Sequence, residues 1–211
     1  MTDIRKVFLV RHGETAFNRE GRYQGRSDSP LTMLGEAQAR RAGRVLYDVL
    51  GESAVQIRCS PLGRAARTAS IISGLLSGTE QLRTDARLAE IGMGGWEGLT
   101  RTEVRSGWPE AREGRRGRNW IFAGPGSEPM ADVIERLSGI LRDIRDEPAG
   151  PPLILVSHAN AGRLLRGLHA GLPGEEAMCT DAPQEAVFQL CAGGEVRRID
   201  TLPEAYHGFQ A

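Results

Sequence analysis

The sequence predicts an α/β fold, a three-layer α/β/α sandwich with a mostly parallel central sheet. Three observations predict it. Short apolar runs recur along the chain, as in 6–10 (KVFLV) and 153–157 (LILVS). Longer stretches with apolar residues at helical spacing separate them. Strands that alternate with helices imply a sheet covered by helices on both faces. The 211 residues suit one domain spanning 1–211.

Each element follows from its own pattern. The run 6–10 reads as a short buried strand. Helical spacing of Leu34, Ala37, Ala42, Val45 and Leu46 predicts a helix over 31–50. VQIRC at 55–59 reads as a second strand, and 61–77 as a helix with Pro61 near its first turn, where proline is tolerated. An amphipathic helix over 130–146 is ended by Pro148 and Gly150. LILVS at 153–157 is a third strand, followed by a helix over 160–170. The runs 186–191 and 195–201 predict a closing hairpin around Gly193 and Gly194. The stretch 106–129, rich in Gly, Pro and Arg, is the least regular. It reads as a lid or a long insertion loop, in a region set at about 100–129.

Composition excludes several functions. The 27 basic and 27 acidic residues cancel, so bulk attraction to nucleic acid or an anionic membrane is not indicated. Anion binding must come from local clusters. Lys6 is the single lysine and the other basic residues are arginine, the better residue for bidentate phosphate binding. Three widely spaced cysteines with no CxxC argue against a disulfide framework or a cysteine zinc site. The apolar run 7–10 is too short for a signal-peptide core, and nothing approaches a membrane span. A soluble cytoplasmic protein, monomer or homodimer, is the expectation.

Two strands end alike. One runs into Arg11 and His12, the other into Ser157 and His158. Ligands of open α/β sheets bind beyond the carboxyl ends of the strands, so both histidines are expected at one rim. A third strand ends at Cys59 and Ser60, and Arg64 follows in the first turn of the next helix. Two histidines, two arginines and a helix N-terminus suit an anion. Gly13 permits close backbone approach and unusual dihedrals.

These residues carry a resemblance. The stretch LVRHGETAFNREGRYQGRSDSPLTMLGEAQA resembles the opening of the histidine phosphatase superfamily, with its phosphoglycerate mutase-like fold. SPLGRAARTA (60–69) looks like that family's second phosphate-pocket motif, RLAEIGMGGWEGLT (87–100) its acid-bearing segment, GSEPMADV (126–133) its Gly-Glu-Ser motif, and VSHANAGRLL (156–165) its second-histidine motif. The resemblance implies that His12 is a nucleophile that takes up a phosphoryl group. Arg11, Arg64 and His158 would line the phosphate pocket, and Asn18 would add a hydrogen bond. Glu90 would protonate the leaving oxygen, in a site closed by Trp96. Gln24 and Gly25 would touch the substrate. Glu128 would orient a pocket residue. Two positions depart from the family pattern. Ala159 stands where many members have glycine, and Pro129 where the motif has serine.

A histidine nucleophile must be neutral, and nearby guanidinium groups favour that form. Two arginines and a second histidine neutralise the phosphoryl oxygens, so neither a metal nor another cofactor is required. The implied activity is a metal-independent phosphomonoester hydrolase for small phosphorylated metabolites. The alternatives are a 2,3-bisphosphoglycerate-dependent phosphoglycerate mutase and a non-catalytic phospho-ligand module. Arg112, Arg115, Arg116 and Arg118 are either a solvated basic loop or a site for a second anion. Arg67 reads as an ordinary surface charge, and Trp96, Trp108 and Trp120 as packing residues.

Overall fold

Alternation along the two central strands decides how the layers stack. In β1 (Val7–Arg11), Val7 and Leu9 face one side of the sheet while Phe8 and Val10 face the other. β4 (Leu153–Ser157) repeats the pattern beside it, and its five residues are all buried. The computed structural model describes residues 5–112, 119–147 and 150–201.

Between these strands the chain forms α1 (Ala16–Glu20), α2 (Met33–Leu50), β2 (Val55–Cys59), α3 (Gly63–Ser73), β3 (Thr79–Thr84), α4 (Arg101–Gly107) and α5 (Met130–Asp146). After β4 come α6 (Ala159–His169), α7 (Gly174–Ala177), β5 (Ala186–Leu190) and β6 (Val196–Asp200). The six strands order as β3-β2-β4-β1-β5-β6. β3, β2, β4 and β1 are mutually parallel, and β5 runs antiparallel to both of its neighbours. The sheet is therefore mostly parallel, as expected.

Phe8, Val10, Ile57, Ile154 and Val156 pack under α2 and α3 through Ala42, Leu46, Ala65, Ala69 and Ile72. On the opposite face, Val7, Leu9, Leu153 and Leu155 meet Val133, Leu137 and Ile140 of α5 and Leu164 and Leu165 of α6. Two cores sandwich one sheet, which is the three-layer arrangement.

Three elements differ from expectation. β3 has no apolar signal, because it is an edge strand whose side chains face solvent. The helix expected over 61–77 starts after Pro61 and ends at Ser73, where Gly74 follows. The irregular region contains α4, capped reciprocally by Thr100 and Glu103, and short 3₁₀ turns at Pro109–Arg112 and Asn119–Ala123. Arg115, Arg116, Arg118 and the side chain of Arg112 lie outside the described residues, as do Pro148 and the last ten residues. The hairpin forms around a turn with Gly193 at φ 74°. Among the described residues, no helix is long and apolar enough to cross a membrane, and all three cysteines are free thiols.

Candidate active site

Strand register brings the two histidines together. Arg11 of β1 lies opposite Ser157 of β4, and the main-chain N–H of His12 donates to Ser157 O at 3.0 Å. The next residue on each strand is a histidine. Their ring centroids are 5.1 Å apart, with planes inclined by 60°. Ser60 continues β2 on the far side of β4, and its Oγ pairs with His158 Nε2 at 2.7 Å.

His12 is buried, and its Nδ1 lies 2.7 Å from the carbonyl oxygen of Gly13. A carbonyl only accepts, so Nδ1 carries the proton and Nε2 carries the lone pair. Burial, then Arg11, then Arg64 hold the His12 pKa well below 6.5, against a smaller opposing effect of the Gly13 carbonyl. His158 is also held well below that value, by burial first and then by His12, Arg64, Arg11 and Arg136. Gly13 does not adopt a positive φ. It is glycine because a Cβ there would sit 2.1 Å from the Gly35 carbonyl oxygen, where the first turn of α2 crosses the loop. The glycine serves close approach, not an unusual dihedral.

The two arginines are fixed through backbone carbonyls. Arg11 Nη1 donates to Ala182 O at 2.5 Å. Arg64, fully buried at the start of α3, donates from Nη2 to Gly25 O at 2.8 Å and from Nη1 to Ser27 O at 2.7 Å and Asp28 Oδ1 at 3.0 Å. Gly25 has φ 54°, and a Cβ there would meet Glu97 Oε1 at 2.2 Å, so this turn requires glycine. Among the described residues, the buried nitrogens without a hydrogen-bond partner in the protein include Nε of Arg64 and Nδ1 of His158, both beside His12. Buried polar groups are nearly always satisfied, and a ligand oxygen would satisfy these.

Glu90 sits against the N-terminus of α6. Its Oε1 accepts from the main-chain N–H of Ile91 and Ala161, both at 2.9 Å, and its Oε2 accepts from Asn160 N–H at 3.1 Å. The segment is braced from behind. Arg136 Nη1 donates to the carbonyls of Arg87 (2.5 Å) and Ala89 (2.8 Å), and Glu128 holds Arg136 and the Gly92 N–H. Glu128 therefore orients the chain that carries Glu90, as the sequence suggested. The serine that Pro129 replaces would have stood at the N-cap of α5, which has no side-chain cap.

A cavity of about 190 Å³ is lined by Arg11, His12, Asn18, Gln24, Gly25, Arg64, Glu90 and Ala159, eight of the nine predicted positions. The ninth, His158, packs against His12. Both amide hydrogens of Gln24 are engaged by Thr15 and Ser29. Trp96 does not close the site. It is fully buried, with its ring 6.0 Å from Trp108 and 5.7 Å from Trp120, and only Trp120 reaches the cavity. Arg67 pairs with Glu36 at the surface, as expected.

Sequence reasoning missed part of the lining. Arg22 and Tyr23 were inside a quoted motif yet unassigned, and an isolated bridge pairs Arg22 with Thr100, next to Arg101. Met93, Arg101 and Ile121 come from turns and a short helix with no signal of their own. Asn160 and Arg163 lie in the second-histidine motif, one turn apart on α6. Among the described residues, no group of three or more metal-ligating side chains occurs.

Comparison with known proteins gives the family. The curated relatives include a probable phosphoglycerate mutase GpmB from Salmonella choleraesuis (strain SC-B67), 37% identical over 176 residues, 80% of this chain and 76% of that protein. Its namesake from Yersinia enterocolitica is 39% identical over 171 residues, with the same coverage. Among solved structures, Bacillus stearothermophilus YhfR superposes with a TM-score of 0.76 at 29% identity, over 93% of this chain and 96% of that one. A mycobacterial glucosyl-3-phosphoglycerate phosphatase gives 0.73 at 28% identity, over 93% and 98%. The family model for the histidine phosphatase superfamily (branch 1) matches residues 7–203, and the chain belongs to that superfamily.

Proposed function

We propose that the chain is a phosphomonoester hydrolase that acts on small phosphorylated metabolites through a phosphohistidine at His12. One observation carries this reading. A buried histidine, held neutral with its Nε2 lone pair available, stands beside buried N–H groups that have no partner in the protein. Nε2 attacks phosphorus and the ester P–O bond breaks. Glu90 protonates the leaving oxygen. Main-chain N–H groups of Ile91 and Ala161 on Oε1, and of Asn160 on Oε2, fix this carboxyl group at the cavity. Glu90 then takes a proton from water, the water oxygen attacks phosphorus, and the P–N bond breaks to release inorganic phosphate.

Arg11, Arg64 and His158 balance charge on the non-bridging oxygens throughout. Leu62 N–H donates to Ser60 Oγ, so the Ser60 hydroxyl proton is free to donate to His158 Nε2. That leaves the proton of neutral His158 on Nδ1, which has no partner in the protein and would serve as a phosphate donor. The mycobacterial phosphatase noted above has been solved with VO3 and with inorganic phosphate, which supports the assignment of an oxyanion pocket.

The names of the curated relatives favour a second reading, a bisphosphoglycerate-dependent phosphoglycerate mutase. Arg22 and Arg101 on the cavity wall suit the second anion such a reaction needs. One assay separates the two. Purified protein in EDTA is given nitrophenyl phosphate, sugar phosphates and 3-phosphoglycerate, with and without 2,3-bisphosphoglycerate. Free phosphate without isomerisation is the expected result. Bisphosphate-dependent formation of 2-phosphoglycerate with little phosphate release would replace the hydrolase with the mutase.

A further inference from the structure

The loop 180–185, between α7 and β5, has no place in the chemistry above, yet it touches the phosphate pocket repeatedly. Ala182 O accepts from Arg11 Nη1. Gln184 Nε2 lies 3.2 Å from the main-chain oxygen of His12 and 3.3 Å from Asn18 Oδ1. Glu185 Oε1 accepts from Gln38 Nε2 at 2.6 Å, and Gln38 Oε1 accepts from Glu14 N–H at 2.7 Å. One short loop therefore meets residues 11, 12 and 18 directly and residue 14 through one side chain. Its other side is clamped from α6, where Arg163 Nε donates to Thr180 O at 2.7 Å and Arg166 donates to Asp181 O.

Gln184 is the informative member. An amide nitrogen has two hydrogens, and this one has two acceptors within reach, so it is fully used. Asn18 Oδ1 receives it together with the Thr15 N–H at 3.3 Å, the long half of the capping box that starts α1. Both of these bonds go to the oxygen end of the Asn18 amide. The hydrogen bonds a side-chain amide makes decide which of its ends faces which neighbour, because its oxygen only accepts and its nitrogen only donates. With the oxygen occupied by two donors, Asn18 must keep Nδ2, the donor end, for the cavity that it lines.

We propose that Gln184 is a positioning residue for phosphoryl transfer. It orients the Asn18 amide with its N–H groups toward the phosphoryl oxygens and ties that amide to the main chain of the nucleophile, His12. This rests on the hydrolase reading above and adds a residue to it. Gln184 touches neither substrate nor reacting atoms; it acts through Asn18.

The test is a double-mutant cycle on the full chain with nitrophenyl phosphate and with orthovanadate as a transition-state probe. Gln184 is only part-buried, so Gln184→Met is expected to fold with an unchanged unfolding midpoint. Its kcat should fall about tenfold, the effect of one lost hydrogen-bonding group, with KM little changed. Vanadate inhibition should weaken by a similar factor. Asn18→Ala should show comparable losses, and the double variant should be no worse than the poorer single one, because both remove the same oriented donor. Gln184→Glu, which keeps the size and loses both donors, should fall at least as far as Gln184→Met. Losses that multiply in the double variant, or a Gln184→Met kcat within about twofold of the parent, would overturn the proposal. A parent protein that neither hydrolyses the ester nor binds vanadate would instead refute the hydrolase reading and this inference with it.

Discussion

The floor and the wall of the cavity are built on different principles. The floor gathers at the ends of β1, β2 and β4. Its groups, buried except for the half-buried Arg11, are fixed by main-chain partners: His12 by Gly13 O, Arg11 by Ala182 O, Arg64 by Gly25 O and Ser27 O, and Glu90 by the N–H groups of Ile91 and Ala161. The wall is made of side chains such as Met93, Arg101 and Ile121, carried on turns and the short α4. Arg101 is exposed, whereas the side chain of Arg64 is completely buried. Backbone partners survive most substitutions and side chains do not. A floor held by the main chain preserves one chemistry, while a wall of side chains is free to change the leaving group it accepts. The comparisons fit this contrast, since the chain is similar in sequence to proteins named as mutases and in structure to one named as a phosphatase.

Substitutions can break the comparison. The largest effect belongs at the floor. His12→Ala should lower phosphate release by at least about 10⁴-fold and abolish acid-labile phosphate on the protein, because no other group supplies the covalent step. Retention of most of the rate would remove the phosphohistidine mechanism. Glu90→Gln comes next. It should cost about 10²- to 10³-fold with alkyl phosphates and far less with nitrophenyl phosphate, whose leaving group needs little proton donation. Equal losses on both substrates would exclude Glu90 as the acid.

A wall residue should behave otherwise. Arg101→Met is expected to leave nitrophenyl phosphate turnover nearly unchanged and to raise KM about tenfold for substrates with a second anionic group. A uniform fall in kcat on all substrates would place Arg101 with the floor.

The pH dependence tests the floor's burial. Both histidines have folded-state pKa values well below the unfolded value of about 6.5. Below that pH the unfolded chain binds protons that the folded chain does not, so stability is lost as pH falls from 6.5 toward the folded values. The loss is at most about 1.4 kcal/mol per pH unit for each histidine. Imidazole ¹⁵N shifts should keep His12 neutral, with its proton on Nδ1, at pH values where an ordinary histidine is charged. Titration of His12 near 6.5 would contradict the geometry. The smallest effect belongs outside both regions. Arg67→Ala breaks only an exposed pair with Glu36 and should leave activity and the unfolding midpoint unchanged.

Much of the floor was legible because its residues follow strands. An apolar run that stops at Arg11 and His12, and another that stops at Ser157 and His158, mark one rim wherever parallel strands pair. Glu90, the proposed acid, was legible only through a motif, since nothing in its local pattern distinguishes it from Glu97. Trp96 was misjudged because hydrophobicity marks burial and not the face that a ring presents. Here it stacks behind Trp120 in the core. β3 was invisible because an exposed edge strand needs no apolar side chains.

By itself, the sequence determined the layer order, the placement of both histidines and two arginines at the strand ends, and the exclusion of a cysteine framework. These follow from local patterns, apolar period and strand end, which a chain carries wherever it folds. Tertiary structure alone decided which nitrogen of His12 bears its proton, why Gly13 must lack a side chain, and which loop holds Arg11 and Asn18. The first rests on the local turn that brings the Gly13 carbonyl to Nδ1; the other two depend on partners distant in sequence: Gly35 against Gly13, Ala182 on Arg11, Gln184 on Asn18. Contacts of that kind are fixed by packing the two cores against one sheet, and no local period encodes them.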